Sequence, residues 1–598
     1  MSKSAPIAVY QDRIEKLSAE RKDLKKRLSV LGWSRFAAII LAVIAFFYLK
    51  NLNLPAAFLA ATAITAVFLR LVILSARTND LVSNLDLLLL INRQELDIAS
   101  GAYTSLPDGM LYAPPLHDFA QDLDIFGRAS LYQYINRTTS EQGHQKLAGS
   151  LLTPANNSLI VDRQLAAAEL APLLEWRQQL QAYGLAGQVT KATELRVTNW
   201  LNSADEFSAR YWKTVSLIMP AIILVALVLT IIGMVPTPIF FGFAFIFFII
   251  SGAISRKIAP VYQYLDKVVK EVETLSNSLR WIEQENFKTS LLQQLLQQFT
   301  NDSSSASLEV KSLKQVLDRM DIRLNPFVFI FLNTFLFWDL HQVLALEKWK
   351  RKNKEKVSGW FHTLADMEFL STIAAVSFNH PGWCYPVLSE VKGVFVAGEL
   401  GHPLIAESKR VTSSFATTGL PKLALITGSN MAGKSTFLRS VGINLVLAMM
   451  GSPVCAGHLT ASNMRVMSSM RISDNLEENT STFYAELKKL KHIIESVNRH
   501  EEVFLLLDEI LRGTNSLDRQ AGSKALIEQL IRKHAVGMLA THDLELAALS
   551  KTYPLAITNY HFDVQVANEE LFFDYKLKDG VCRSMNASIL MKKIGIEL

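Results

Sequence analysis

The segment Gly428-Ser429-Asn430-Met431-Ala432-Gly433-Lys434-Ser435-Thr436 has the spacing G-x-x-x-x-G-K-[ST]. The apolar run Lys422-Leu-Ala-Leu-Ile-Thr427 precedes it, and a helical pattern starts at Phe437. Strand, glycine loop and helix in that order make a cradle for phosphate. The glycines let backbone N–H groups curl around phosphate oxygens, and the helix N-terminus adds partial positive charge. Residues 428–436 are therefore expected to bind ATP. Lys434 is expected to reach the β- and γ-phosphates, and Ser435 to hold Mg²⁺ through its hydroxyl.

Two further strand ends carry chemistry. Val503-Phe-Leu-Leu-Leu507 runs into Asp508-Glu509. An aspartate there can complete the Mg²⁺ shell, and the adjacent glutamate can polarise an attacking water. The plainer alternative is an acidic pair that caps a strand. Gly537-Met-Leu-Ala540 runs into Thr541-His542-Asp543. A histidine so placed can sense the γ-phosphate and stabilise the transferring group. Lys434, Glu509 and His542 are thus the expected catalytic residues, and Ser435 and Asp508 the expected metal ligands.

These strands and helices must be set within a chain of unusual composition. Of its 598 residues 50% are hydrophobic and 19% charged, against about 25% charged in ordinary soluble proteins. Mean hydropathy is +0.19. Three scattered cysteines, Cys384, Cys455 and Cys582, argue against a disulfide framework or zinc cluster and for a reducing compartment. A net charge of +6 permits anionic partners without demanding them.

The apolar excess is local. Runs at 33–49, 54–75, 215–235 and 239–254 are each near the length that crosses a bilayer. They come in two tight pairs, which suggests two transmembrane hairpins; buried core helices are the alternative. Arg21, Lys22, Lys25, Lys26 and Arg27 precede the first pair and Arg77 comes after it. Arg210 and Lys213 precede the second pair, and Arg256 and Lys257 come after it. Lys50 is the exception inside a hairpin turn. This bias predicts a multi-pass protein of the cytoplasmic (inner) membrane, with its N-terminus and large polar segments in the cytoplasm. A shorter apolar stretch, 327–338, is too short to span and is expected to be a core helix, with a membrane-surface segment as the alternative.

The expected domains are a basic N-terminal helix (1–32), hairpin 1 (33–75), a helical core or lever part (76–213), hairpin 2 (214–255), a helical return (256–389) and an α/β domain (390–598). Ile258, Val261, Leu265, Val268, Val272, Leu275, Leu279 and Ile282 alternate spacings of three and four, which predicts a rod packed on another helix.

The motif strings carry a specific resemblance. Residues 428–439, Asp508-Glu509-Ile510 with Arg512-Gly513-Thr514 and Asp518, and Ala540-Thr541-His542 resemble the MutS family of DNA mismatch-repair ATPases. Gly401-His402-Pro403 resembles that family's short upstream motif, and Ser481-Thr482-Phe483 its trans-acting signature. More weakly, Asp124-Ile-Phe-Gly127, Asn136-Arg-Thr138, Arg163-Gln164 and Glu169-Leu170 resemble the start of the family's core domain. The resemblance implies an ABC-type P-loop ATPase domain, Mg-dependent ATP hydrolysis, and a homodimer in which Ser481 reaches the partner's nucleotide. It also implies binding of mismatched or otherwise deformed DNA.

The departures are informative. The family's mismatch reader uses Phe-x-Glu, which this sequence lacks, and two apolar runs occupy the N-terminal region. Leu511 and Arg519 stand where the family usually has glycine, and Asn479-Thr480 replace small and basic residues. Two functions are therefore expected to compete. One is a membrane-anchored MutS-like ATPase acting on DNA. The other is a membrane signalling or mechanical ATPase that has lost DNA. A transporter fits less well, because the apolar runs carry no polar permeation site.

Overall fold

A computed structural model describes residues 5–50, 54–207, 209–300, 305–429, 432–470, 482–567 and 570–582. The N-terminal two thirds are helical and the C-terminal third is built on sheets.

Helices Ala5–Leu49 and Leu54–Ala99 form an antiparallel hairpin. Its apolar half is bare, with Trp33 72% and Leu59 75% exposed. Its polar half docks on the rest of the chain. Tyr10, 2% exposed, donates to Asn379 Oδ1 (2.6 Å), and Arg13 donates to Gln178 Oε1 (2.7 Å). The second apolar pair forms helices Arg210–Ile231 and Thr237–Leu265, which leave Leu217 and Phe241 exposed. Among the described residues four helices, Pro6–Leu49, Leu54–Ala99, Arg210–Ile231 and Thr237–Glu283, are long and apolar enough to cross a membrane.

The short helices between the hairpins begin where side chains cap them. Ser140 Oγ accepts from Gly143 N (2.9 Å), Asn156 Oδ1 from Leu159 N (2.8 Å) and Thr190 Oγ1 from Thr193 N (3.1 Å). Each cap satisfies an amide that the first helical turn leaves open. The heptad stripe continues out of Thr237–Leu265, through a 3₁₀ turn at Asp266–Val268, into helix Val269–Glu283. Leu265, Leu279 and Ile282 on this stripe are wholly buried, and the helix packs on Ala306–Met320 and Leu174–Ala186. Helix Val357–Asn379 is the spine of the helical part, buried around most of its circumference. Inside it Glu368 accepts from Thr139 Oγ1, Ser140 N and Ser140 Oγ. Burial nevertheless holds that carboxyl above its usual range.

The stretch expected as a core helix is placed otherwise. Helix Pro326–Leu336 lies against Thr237–Leu265 and Arg210–Ile231, with only Asn333 and Thr334 buried, and Phe327 is 88% exposed. An apolar run long enough for three helical turns reads alike whether protein or lipid covers it.

The C-terminal part holds two sheets. Strands are β1 (Val387–Ser389), β2 (Phe395–Leu400), β3 (Ser413–Thr417), β4 (Lys422–Thr427), β5 (His458–Ser462), β6 (Arg465–Ser469), β7 (Val503–Asp508), β8 (Val536–Thr541), β9 (Ile557–Ala567) and β10 (Glu570–Asp579). The small sheet has the order β1-β5-β2-β3, and the large one β10-β9-β4-β8-β7-β6. In the large sheet all pairings are parallel except β9–β10. Helices cover parallel strands on both faces, so β4, β7 and β8 read as unbroken apolar runs.

Candidate active site

Register aligns the chemistry. Thr427 of β4 pairs with Thr541 of β8, and Asp508 of β7 pairs with Ala540 of β8. Three neighbouring parallel strands therefore end at one level, and the residues just beyond their ends come together there. In open α/β sheets this carboxyl edge is where ligands bind.

β4 passes into Gly428, whose φ is +142°. A Cβ at Gly428 would stand 2.7 Å from Phe562 O, so only glycine fits against that backbone. Gly433, at φ +103°, leads into helix Lys434–Met450. Lys434 is 1% exposed; its Nζ donates to Gly428 O (2.6 Å) and lies 3.3 Å from His542 Nε2. Burial lowers its pKa to about 8, against the pull of Glu509 and Asp508. Ala432 is buried and its N–H donates to Ser429 O (3.2 Å), while Thr436 is exposed on the helix. Asn430, Met431 and Ser481 lie outside the described residues.

Ser435 Oγ donates to Asp508 Oδ2 (2.6 Å). Asp508 Oδ1 is buried without a hydrogen-bond partner among the described residues. Burial also raises the Asp508 carboxyl above its usual range. A buried carboxylate oxygen without a donor, beside a hydroxyl, fits a small divalent cation. Mg²⁺ needs only one or two such protein ligands and takes the rest from phosphate and water.

Glu509 has a left-handed backbone (φ +49°), and its N–H donates to Ala540 O (2.9 Å). Its carboxylate takes His542 Nε2 at 2.7 Å and Arg512 Nε at 3.1 Å. The hydrogen bond from His542 is the main cause that holds the Glu509 carboxyl below its usual range. With Glu509 ionised, the Nε2 proton points to it, so Lys434 lies beside that nitrogen rather than donating to it. Lys434, Ser435, Asp508, Glu509 and His542 thus form one connected cluster.

Four supporting residues surround the cluster: Arg512, Leu511 and Gly513, which the sequence reading quoted without a structural role, and Glu486, which it missed. Arg512 grips Glu509. Leu511, which occupies a glycine position of the resembled family, has φ +60°, a conformation glycine adopts freely. Its side chain is buried among core residues of the large sheet, and burial offsets the backbone cost. Its N–H donates to Glu486 Oε1 (2.5 Å). Glu486 shares the buried stripe of helix Thr482–Asn498 with Leu490, Ile493 and Val497. A carboxylate at that spacing on an apolar face was the available signal. Gly513 is needed because Phe483 packs on it, with the Phe483 Cβ 2.5 Å from where its own Cβ would sit.

The same helix is tied to the helical part. Asp122, 1% exposed, accepts from Lys489 Nζ (2.6 Å), Ser468 Oγ (2.6 Å) and Met470 N (3.2 Å).

Residues 424–594 match MutS domain V. All five clustered side chains lie within the span of the domain V match. The chain is 32% identical over 239 residues to the DNA mismatch repair protein MutS of Thermotoga sp. (strain RQ2), which is 39% of this chain and 29% of that protein. It is 34% identical over 244 residues to the MutS of Desulfovibrio desulfuricans, 38% and 25% of the two chains. It is 32% identical over 237 residues to human MutS protein homolog 4, 38% and 23%. The likeness thus spans under a third of these relatives' length.

Proposed function

We propose that this chain is a membrane-anchored MutS-like ATPase that binds and hydrolyses ATP as a homodimer. The observation that carries the reading is the cluster at the ends of β4, β7 and β8. The domain V match supports the ATPase assignment. The four bare apolar helices support anchoring of 33–75 and 214–255 in the inner membrane, with 1–32, the helical parts and 390–598 in the cytoplasm.

The cluster would work by exchange of partners. Lys434 leaves Gly428 O for the β- and γ-phosphates. Ser435 and Asp508 release each other and turn to Mg²⁺. When bound, Mg²⁺ neutralises charge across the β- and γ-phosphates. Glu509, an ionised carboxylate, frees one oxygen to take a proton from the attacking water, while His542 faces the γ-phosphate. By resemblance, Ser481 completes the site of the partner subunit.

This exchange depends on the charge of Lys434. Its pKa near 8 makes it cationic below that pH and neutral above it. Phosphate favours the cation, so ATP affinity falls as pH rises through 8. Between pH 7 and pH 9 the apparent Kd for ATP is expected to weaken about tenfold, the ratio of charged Lys434 at the two values. Titration with a fluorescent ATP analogue at fixed ionic strength measures this. A Lys434→Ala variant with the same slope would remove the lysine from the explanation.

DNA is proposed as the coupled ligand because the relatives are named for mismatch repair. A second reading, a membrane signalling or mechanical ATPase, is favoured by one feature: an exposed apolar hairpin interrupts the helical part between 210 and 265. Steady-state ATPase activity of the detergent-solubilised chain separates the two, measured with homoduplex, mismatched and branched DNA at two salt concentrations. Stimulation by one DNA structure that weakens with salt is the expected result. Robust activity indifferent to every DNA supports the second reading. A fully active monomer would sink the dimer.

A further inference from the structure

We infer that helix Pro326–Leu336 is a further membrane element, a short re-entrant segment whose outer face contacts lipid acyl chains. This rests on the reading that the hairpin Arg210–Ile231 and Thr237–Leu265 crosses the bilayer.

The helix has 11 residues. At about 1.5 Å per residue it falls well short of the ~30 Å hydrocarbon core. No Asp, Glu, Lys or Arg occurs in 324–338. Leu324 (77%), Phe327 (88%) and Phe331 (59%) are exposed, while the polar Asn333 and Thr334 face inward. That is the reverse of a helix exposed to water. The exposed face adjoins the bare surface of the second hairpin, on which the helix rests through Phe335 on Phe240 and Phe337 on Phe247, with ring centroids 6.4 and 5.9 Å apart. Exposed apolar side chains thus occur on each of the elements packed together here.

The base of the helix explains why it turns back. Phe337, at φ +51°, bends the chain by 78° into helix Trp338–Asn353. Arg323, just before the helix, holds Asp339, just after it, with Nε on Oδ1 at 2.9 Å and the second nitrogen on Oδ2 at 2.5 Å. Asp339 is wholly buried and also accepts from Ser255 Oγ. Asn333 Nδ2 donates to Ser255 Oγ (2.9 Å), and its Oδ1 accepts from Asp339 N (3.2 Å). Each of these polar side chains has a partner, as a low-dielectric setting requires. Ser255 immediately precedes Arg256 and Lys257, both exposed. Basic residues beside an apolar element suit anionic headgroups. Exit and return are thus fastened together at the level where the fourth apolar run gives way to charge.

The test uses the full chain in liposomes containing a phospholipid with a diazirine in its acyl chain. After irradiation, lipid adducts are mapped by peptide mass spectrometry. Adducts are expected in 324–331 as well as in 210–231 and 237–254. Adducts in the hairpin with none in 324–331 overturn the inference and leave the anchored reading standing. Adducts in neither region overturn both. Adducts in 324–331 without any in the hairpin overturn the spanning reading while keeping the lipid contact of this helix.

Discussion

Replacing Glu509 by glutamine is expected to slow ATP hydrolysis by about 10²–10⁴-fold, the usual contribution of a positioned general base, while ATP still binds. The amide keeps the size of the carboxylate, and its single oxygen can still accept from His542 while the contact with Arg512 is lost. It cannot take a proton from water. Lys434, Ser435 and Asp508 are untouched, so phosphate and metal contacts survive. Phosphate release measured beside equilibrium ATP binding separates the two steps. A loss of less than about threefold, with binding intact, would place Glu509 outside the chemistry. A parallel loss of binding would make it a structural member of the cluster.

The second large effect concerns stability. Arg137 meets Glu95 through two parallel bonds, Nε to Oε1 at 2.5 Å and the second nitrogen to Oε2 at 2.9 Å. The side chains are 9% and 5% exposed. Asn379 Nδ2 adds a third contact to Glu95 (2.9 Å), and Tyr10 donates to the same Asn379. Removing one partner leaves a buried charge without its counter-ion. Arg137→Ala is therefore expected to cost about 3–5 kcal/mol. The double replacement Glu95→Leu with Arg137→Met is expected to recover much of that loss, because it removes both charges and keeps volume. Thermal unfolding of the solubilised protein compares the variants. A single variant that melts with the wild type would show that water reaches Glu95. The network joins Ala5–Leu49, Leu54–Ala99 and Val357–Asn379 through Tyr10, Glu95 and Asn379, contacts that the single variant leaves in place.

The meeting of Lys434, Ser435, Asp508, Glu509 and His542 was legible because strand-end chemistry is local. Asp508, Glu509 and His542 lie at or just past the end of an apolar run, Lys434 and Ser435 open the helix that follows β4 across the glycine loop, and parallel strands of similar length end together. The heptad stripe was legible for the same reason, as spacing alone decides which face is buried. Glu486 was not, since its partner is an amide 25 positions away. Helix Pro326–Leu336 was misread because hydropathy reports avoidance of water and not what replaces it. The division of the α/β part into two sheets was missed as well. β1 and β3 are short, and their partners are fixed by register with β5 and β2, which no local pattern encodes.

The Asp122 contacts have a mechanical meaning. Met470, just past β6, and Lys489, on helix Thr482–Asn498, hang on the same carboxylate oxygen. Strand end and helix therefore share this carboxylate, and Asp118 holds both as well, through Ser468 N and His492 Nε2. Rotating the helical part about these contacts would carry both together, with little change in the distance between them. Asp122 belongs to the helical part and Glu486 bonds beside Glu509, and Glu486 and Lys489 are one helical turn apart, so a single turn of helix Thr482–Asn498 links the frame to the trigger.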